Sequence, residues 1–461
     1  MPHFPSDFVW GSATSCYQIE GGWLEGGKGL SIWDAFCHTP GKIRQGETGD
    51  VACDHYHRFK EDVAFMKAMG LPAYRFSLSW PRIQPDGREP NREGINFYSS
   101  LIDTLLDNGI TPWATLYHWD LPLALQMECD GWLDSKTADH FARYAEICFE
   151  HFGDRVKHWI TLNEPWVAAM LGYGQGVFAP GRVSDREPYL AAHNLLRAHG
   201  KAVAVYRAKY QSQQKGIIGM ANNCDWREPR TDAAQDREAA ERALQFFLGW
   251  FADPLYFGTY PETMRERVAD RLPQFNEDDR EVIQGSCDYF GLNHYTTMHA
   301  SHCKPGEEQD MDASGNGGLL QDQNVNLATH TAWEKTTMDW AVVPWGCRKL
   351  LEWIDARYAR PNIYITENGC SFDDRVENGM VNDTKRIEFI QGYLKEIHAA
   401  MQNGVPVKGY FLWSFMDNFE WALGYSKRFG IHYVDFPSSR RIPKESAKWY
   451  SEVIQKNGFS T

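Results

Sequence analysis

The chain predicts an α/β fold: a single (β/α)8 barrel over residues 1–461, with elaborated loops at the C-terminal face of its strands. Three observations predict it. Strand-like and helix-like segments alternate from one end to the other, the strands number eight, and polar side chains gather where strands stop.

Phe8–Ala13 opens the series and runs into a Gly-rich loop. Phe59, Val63, Met66 and Met69 recur at helical spacing and predict a helix over Tyr56–Met69. Ala73–Leu78 is the second strand, followed by a helix over Asn96–Asn108. Thr111–Leu116 is the third, and its helix over Ala138–Phe152 stops at Gly153. Residues 159–162 form the fourth strand, since Trp, Ile and Thr favour the pleated state, and Pro165 breaks it. A helix over Tyr189–Tyr210 leads to the fifth strand, Ile217–Ala221, and helical sequence over Ala233–Phe251 leads to the sixth, Asp288–Asn293. Residues 363–366 make the seventh, broken by Gly369. Val407–Ser414 is the eighth, and a helix over Ser446–Lys456 closes the chain. The polar, Gly-rich stretch Lys304–Thr329 reads as an elaborated loop over the barrel mouth, because two strands lie beyond it.

Composition narrows the partners. Apolar residues at 43% and charged residues at 23% are ordinary, whereas 18 Trp, 21 Tyr and 25 Phe hint at the apolar faces of sugars. A net charge of −14 excludes nucleic acid and anionic membranes as expected partners. Ten cysteines without CxxC pairs read as buried thiols in a reducing compartment. No basic segment followed by an apolar run opens the chain, and no run is long enough to span a membrane; the expected location is cytoplasmic. The sequon Asn382-Asp383-Thr384 is at chance level.

Two glutamates stand out. Glu164, in Trp-Ile-Thr-Leu-Asn-Glu-Pro, and Glu367, in Ile-Tyr-Ile-Thr-Glu-Asn-Gly, each sit where a strand stops, with an asparagine alongside. One Glu at a strand end is usually a surface ion pair. Two in matching contexts are the equipment for cleaving a glycosidic bond, one as proton donor and one as nucleophile, if they lie within about 6 Å. Arg75 would keep a carboxylate ionised. Gln18, His118, Trp119, Asn163, Asn293, Tyr295, Trp413, Glu420 and Trp421 lie at or beyond strand ends and suit a ring of hydroxyls, with Trp413 able to stack beneath a pyranose. His55 and His57 open a helix two residues apart and so face different ways; no metal and no cofactor are expected. The loop 21–29 lacks the strand–GxGxxG–helix context of a phosphate cradle.

Ordered motifs then make the chain recognisable: Phe8-Val9-Trp10-Gly11, Tyr17-Gln18-Ile19-Glu20-Gly21, Tyr74-Arg75-Phe76-Ser77, His118-Trp119-Asp120, Asn163-Glu164-Pro165, Asn293-His294-Tyr295, Thr366-Glu367-Asn368-Gly369 and Asn418-Phe419-Glu420-Trp421. Along its full length the chain resembles the glycoside hydrolase family 1 β-glucosidases. The resemblance implies retaining hydrolysis of terminal β-D-glucosyl residues from cellobiose, short β-glucans and aryl β-glucosides, with side activity on β-fucosides and β-galactosides. It makes Glu164 the acid/base, Glu367 the nucleophile, and Arg75, Asn293 and Tyr295 its supports. It gives Asn163 the 2-hydroxyl, and Gln18, His118, Glu420 and Trp421 the 3-, 4- and 6-hydroxyls, with Trp413 as floor. Trp340 would face the leaving group, with Trp166 and Leu171 at the entrance. A 6-phospho-β-glycosidase is the rival on the same fold, and Ser426-Lys427-Arg428 is the sequence in its favour. A non-catalytic sugar-binding relative is the other alternative. Oligomeric state is not readable.

Overall fold

The computed structural model describes residues 2–304 and 318–459. Eight parallel strands close a barrel: β1 (Val9–Ala13), β2 (Ala73–Ser77), β3 (Thr111–Tyr117), β4 (His158–Asn163), β5 (Ile217–Asn223), β6 (Phe290–Asn293), β7 (Ile363–Asn368) and β8 (Val407–Trp413). Each pairs with its neighbour in sequence, and β1 closes onto β8. This is a (β/α)8 barrel. Register sets the rim: Ala13 lies opposite Trp413 on one side and Arg75 on the other, and Asn293 lies opposite both Asn223 and Glu367.

Helices pack outside through one apolar face each. In Arg92–Asp107, Asn91 caps the start by accepting from the Glu93 amide, and Phe97, Tyr98, Leu101, Ile102 and Leu105 turn inward. The barrel interior is plugged by aromatic rings. Trp113 stacks on His158 at 4.2 Å and meets Tyr364 and Phe411 at 4.9 Å each. Chemistry is thereby confined to the rim above the plug. Trp33, Trp80, Trp132, Trp159 and Trp250 are also fully buried, so much of the aromatic surplus is packing rather than sugar contact.

Three departures from the sequence reading have physical causes. A three-stranded sheet, Trp226–Pro229, Thr297–His302 and Val325–Ala328, stands on the excursions after β5 and β6. Its strands are four to six residues long and mix polar with apolar residues, so no period announces them. The stretch Lys304–Thr329 is not simply a loop. Residues 305–317 lie outside the described residues, but Leu319–Gln323 is helical and Val325–Ala328 pairs with Thr297–His302, anchored by the buried Leu319 and Val325. The helix expected over Ala233–Phe251 ends at Leu244, passes through a π turn at Gln245–Gly249 and resumes over Trp250–Phe257. None of the ten cysteines forms a disulfide, and all but Cys287 are buried. Among the described residues, no helix is long and apolar enough to cross a membrane.

Candidate active site

Arg75 rises from β2 above the aromatic plug, and its guanidinium is the hub of the rim. Nη1 donates to Glu367 Oε1 at 2.7 Å and to the Thr366 carbonyl at 2.8 Å. Nη2 donates to Asn163 Oδ1 at 2.6 Å, and Nε to Thr115 Oγ1 at 3.2 Å. Asn163 Oδ1 also accepts from Asn293 Nδ2 at 3.0 Å, and that amide donates to Glu164 Oε1 at 2.8 Å. Tyr295 donates its hydroxyl to Glu367 Oε2 at 2.7 Å. Residues from β2, β4, β6 and β7 thus form one hydrogen-bonded network joining Glu164 to Glu367. Asn293 stands between the two carboxyls: its amide donates to Glu164 Oε1, and its side chain also opposes the rise of the Glu367 pKa.

Local backbone supports this placement. Glu164 takes φ 44°, ψ 61°, a left-handed conformation that costs a non-glycine residue energy and aims its side chain away from the strand path. Trp119 (φ 80°) and Trp421 (φ 48°) are held likewise. Gly369 must be glycine, because a Cβ there would sit 1.7 Å from the Trp413 carbonyl oxygen where β7 and β8 converge.

The two carboxyls are equally hidden but differently treated. Glu164 is 7% exposed and Glu367 3%. Burial pushes both upward. The charge of Glu367 pushes Glu164 further, and Glu164 is held well above the usual carboxylate range against weak opposition from Asn293 and Arg75. At Glu367 the rise is opposed by the Arg75 cation and by hydrogen bonds from Tyr295, Arg75 and Asn293. A negative charge is better supported on Glu367, beside the Arg75 guanidinium and the Tyr295 hydroxyl, than on Glu164.

His118 is kept neutral by burial and by Arg75. Asn163 Nδ2 donates to its Nε2 at 3.0 Å; the orientation of that amide is fixed by the donors on its oxygen, so the ring proton sits on Nδ1. Nδ1 is buried without a protein partner, as a donor reserved for ligand would be. The Trp413 ring lies 5.8 Å from His118 at an interplanar angle of 20°. Trp421 packs against Trp119 and Trp33 at 4.5 Å each, and Trp119 Nε1 donates to the Asn163 carbonyl at 2.9 Å. Gln18 Nε2 is spent on Asn418 Oδ1 (3.1 Å) and the Phe419 carbonyl (2.9 Å), leaving Oε1, which already accepts from Ser15, with one lone pair for a hydroxyl. Glu420 Oε2 is buried and unpartnered; burial and the nearby Glu367 push Glu420 up to about 8.

On the outer side, Trp340 packs on Tyr295 at 5.2 Å, and Trp166 meets Phe247 at 4.4 Å. Leu171 is half-buried in the π turn Met170–Gly174. Sequence reasoning missed Thr115, Thr366 and Phe247; each acts through a contact far away in the chain, which leaves no local signal. His55 turns onto Asp62 (2.7 Å), while His57 turns onto Asp54 and Glu25 (2.6 and 2.9 Å). Among the described residues, no group of three or more His, Cys, Asp or Glu is arranged to hold a metal ion. A surface cavity of about 780 Å³, lined by Met127, Leu133, His193 and Arg197 among others, shares no residue with the rim cluster.

The profile of glycosyl hydrolase family 1 matches residues 1–459. The chain belongs to that family. Among family 1 relatives, β-glucosidase 42 of Arabidopsis thaliana is 48% identical, over 98% of this chain and 94% of its own length. β-Glucosidase A of Thermotoga maritima is 46% identical, over 99% and 98% respectively. Among solved family 1 structures, a rice β-glucosidase variant in a covalent complex with glucose superposes with a TM-score of 0.93 at 44% identity, covering 97% of this chain and 98% of its own. The Thermotoga maritima β-glucosidase in complex with castanospermine gives 0.92 at 45% identity, covering 100% of both chains.

Proposed function

We propose that this chain is a retaining β-glucosidase that releases terminal non-reducing β-D-glucosyl residues from cellobiose, short β-glucans and aryl β-glucosides, with β-fucosides and β-galactosides as side substrates. The observation that carries the reading is the asymmetry of the carboxyl pair: Glu164 protonated by burial and by its neighbour's charge, Glu367 held by Arg75 and Tyr295. Glu367 attacks the anomeric carbon as Glu164 passes its proton to the leaving oxygen, so a carbon–carboxylate bond forms while the glycosidic bond breaks. Glu164, now ionised, takes a proton from water, which attacks the same carbon and frees Glu367. Asn163, set between Arg75 and His118, binds the 2-hydroxyl; Gln18, His118, Glu420 and Trp421 bind the remaining hydroxyls over the Trp413 floor. Trp119 backs that wall. Trp340, Trp166 and Leu171 border the leaving group. One catalytic unit spanning residues 1–461 agrees with β1 pairing to β8. Cytoplasmic location agrees with ten cysteines that form no disulfide.

The 6-phospho-β-glycosidase reading fits less well. Lys427 Nζ donates to the Thr337 carbonyl and Arg428 to Asp417, so both cations are engaged, and Glu420 stands where a phosphate would need a positive charge. Hydrolysis of nitrophenyl β-glucoside and its 6-phosphate, with the first-formed sugar anomer read by proton NMR, tests the proposal. Preference for the plain glucoside with β-glucose formed first is expected. Preference for the phosphate, α-glucose first, or no turnover would overturn it.

A further inference from the structure

Beneath the sugar-facing rim lies a group of buried charges that the reaction does not use. Lys444 is fully buried, and its ammonium bridges two carboxylates on different loops. One is Asp374, on the loop after β7 and so downstream of Glu367. The other is Asp417, three residues before Glu420, which Lys444 Nζ reaches at 2.8 Å. Asp417 also accepts from Arg428 Nη1 at 2.6 Å and from the Gly430 amide at 3.0 Å. Arg386, on the helix Thr384–Gln402, donates to Asp374 at 2.6 Å and to the Arg428 carbonyl at 2.8 Å, and stands 3.5 Å from Asp383. The three cations Arg386, Arg428 and Lys444 face the three anions Asp374, Asp383 and Asp417, so the group is balanced within itself. A third loop joins it, since Lys427 donates to the Thr337 carbonyl and Thr337 in turn to the Ser371 carbonyl.

A buried ion pair gives little net stability, and its best-supported value is to fix one arrangement among several. Here the arrangement that is fixed is the segment Asn418–Trp421. Its other ties are Gln18, the bonds of Asn418 Nδ2 to Ser414 Oγ and the Met416 carbonyl, and ring packing of Phe419 and Trp421, whereas Glu420 has a carboxyl oxygen without a protein partner. We propose that Lys444, Asp417 and Arg428 are positioning residues that hold Glu420 and Trp421 at the height where they meet the sugar's outer hydroxyls, and so set selectivity for a hexose over a sugar lacking the hydroxymethyl group. The proposal rests on the β-glucosidase reading, because it assumes that the rim binds a glucosyl unit.

The test compares kcat/KM on nitrophenyl β-glucoside and nitrophenyl β-xyloside for the wild type, Lys444→Met, Arg428→Met and Arg428→Lys, with thermal melting as the folding control. A positioning role lowers the glucoside-to-xyloside ratio by about tenfold or more in both Met variants, chiefly through the glucoside KM, while Arg428→Lys, which keeps the cation, retains the ratio. Arg428, partly exposed, keeps the test open if Lys444→Met does not fold. Equal losses on both substrates, or no change in the ratio in the folded variants, overturn the positioning role and leave the hydrolase reading intact. A wild type inactive on both glycosides sinks both.

Discussion

Glu164 and Glu367 end neighbouring parts of the same rim, both lie below a tenth exposed, and both are within reach of Asn293. Their corners differ in what else is there. The Glu367 corner supplies a guanidinium and a phenol hydroxyl, each at 2.7 Å. The Glu164 corner supplies one neutral amide at 2.8 Å and the repulsion of Glu367. Burial alone would give two sluggish carboxylic acids. In the proposed reaction that contrast in neighbours makes one the acid and the other the nucleophile, as in other sites where two like groups are driven apart by environment.

The comparison breaks most visibly if the charged corner is emptied. Glu367→Gly should lower kcat by roughly 10⁵-fold, the scale of losing a covalent nucleophile. Azide should restore turnover and give the α-glucosyl azide, identified by NMR. Glu164→Ala should cost less, about 10²–10⁴-fold on cellobiose, the range of general acid catalysis. Its loss on a dinitrophenyl glucoside, whose leaving group needs no proton, should be far smaller, and steady-state kinetics on the two substrates read the difference.

Tyr295→Phe sharpens the comparison without removing either carboxyl. It deletes a hydrogen bond to a charged oxygen, so kcat/KM should fall about 10–100-fold. Because the Tyr295 hydroxyl holds the Glu367 pKa down, its loss raises that pKa, and the acidic limb of the kcat/KM profile should move to higher pH. The smallest effect belongs to Glu420→Gln. Glu420 is pushed up to about 8, so it is neutral where the acidic limb falls and its replacement should leave that limb in place. In the pH profile the feature near pH 8 should disappear, while the altered hydroxyl contact shows separately as a higher glucoside KM.

Much of this was legible in the sequence because it is local. Pro165 and Gly369 mark strand ends, the Trp-Ile-Thr and Ile-Tyr-Ile runs mark the strands, and a duplicated Glu beside Asn marks the pair. Arg75 was readable as the partner of a carboxylate, but the rest of the network was not: Arg75 reaches Asn163 across 88 positions and Asn293 reaches Glu164 across 129. Nothing near Thr115 or Thr366 announces that Arg75 and Asn293 depend on them. The same holds for Lys444, whose two partners lie 70 and 27 residues away. The sheet around Thr297–His302 stayed hidden because its strands are too short for alternation to register.

In the proposed reaction Glu367 bonds to the sugar's anomeric carbon and Glu164 donates the proton. Inactivating the enzyme with a 2-deoxy-2-fluoroglucoside bearing a good leaving group, then digesting and sequencing the labelled peptide by mass spectrometry, tests this most directly. One fluoroglucosyl group on Glu367 is the predicted result. A label on Glu164 or on any other residue, or no stable adduct with full retention of activity, would contradict it.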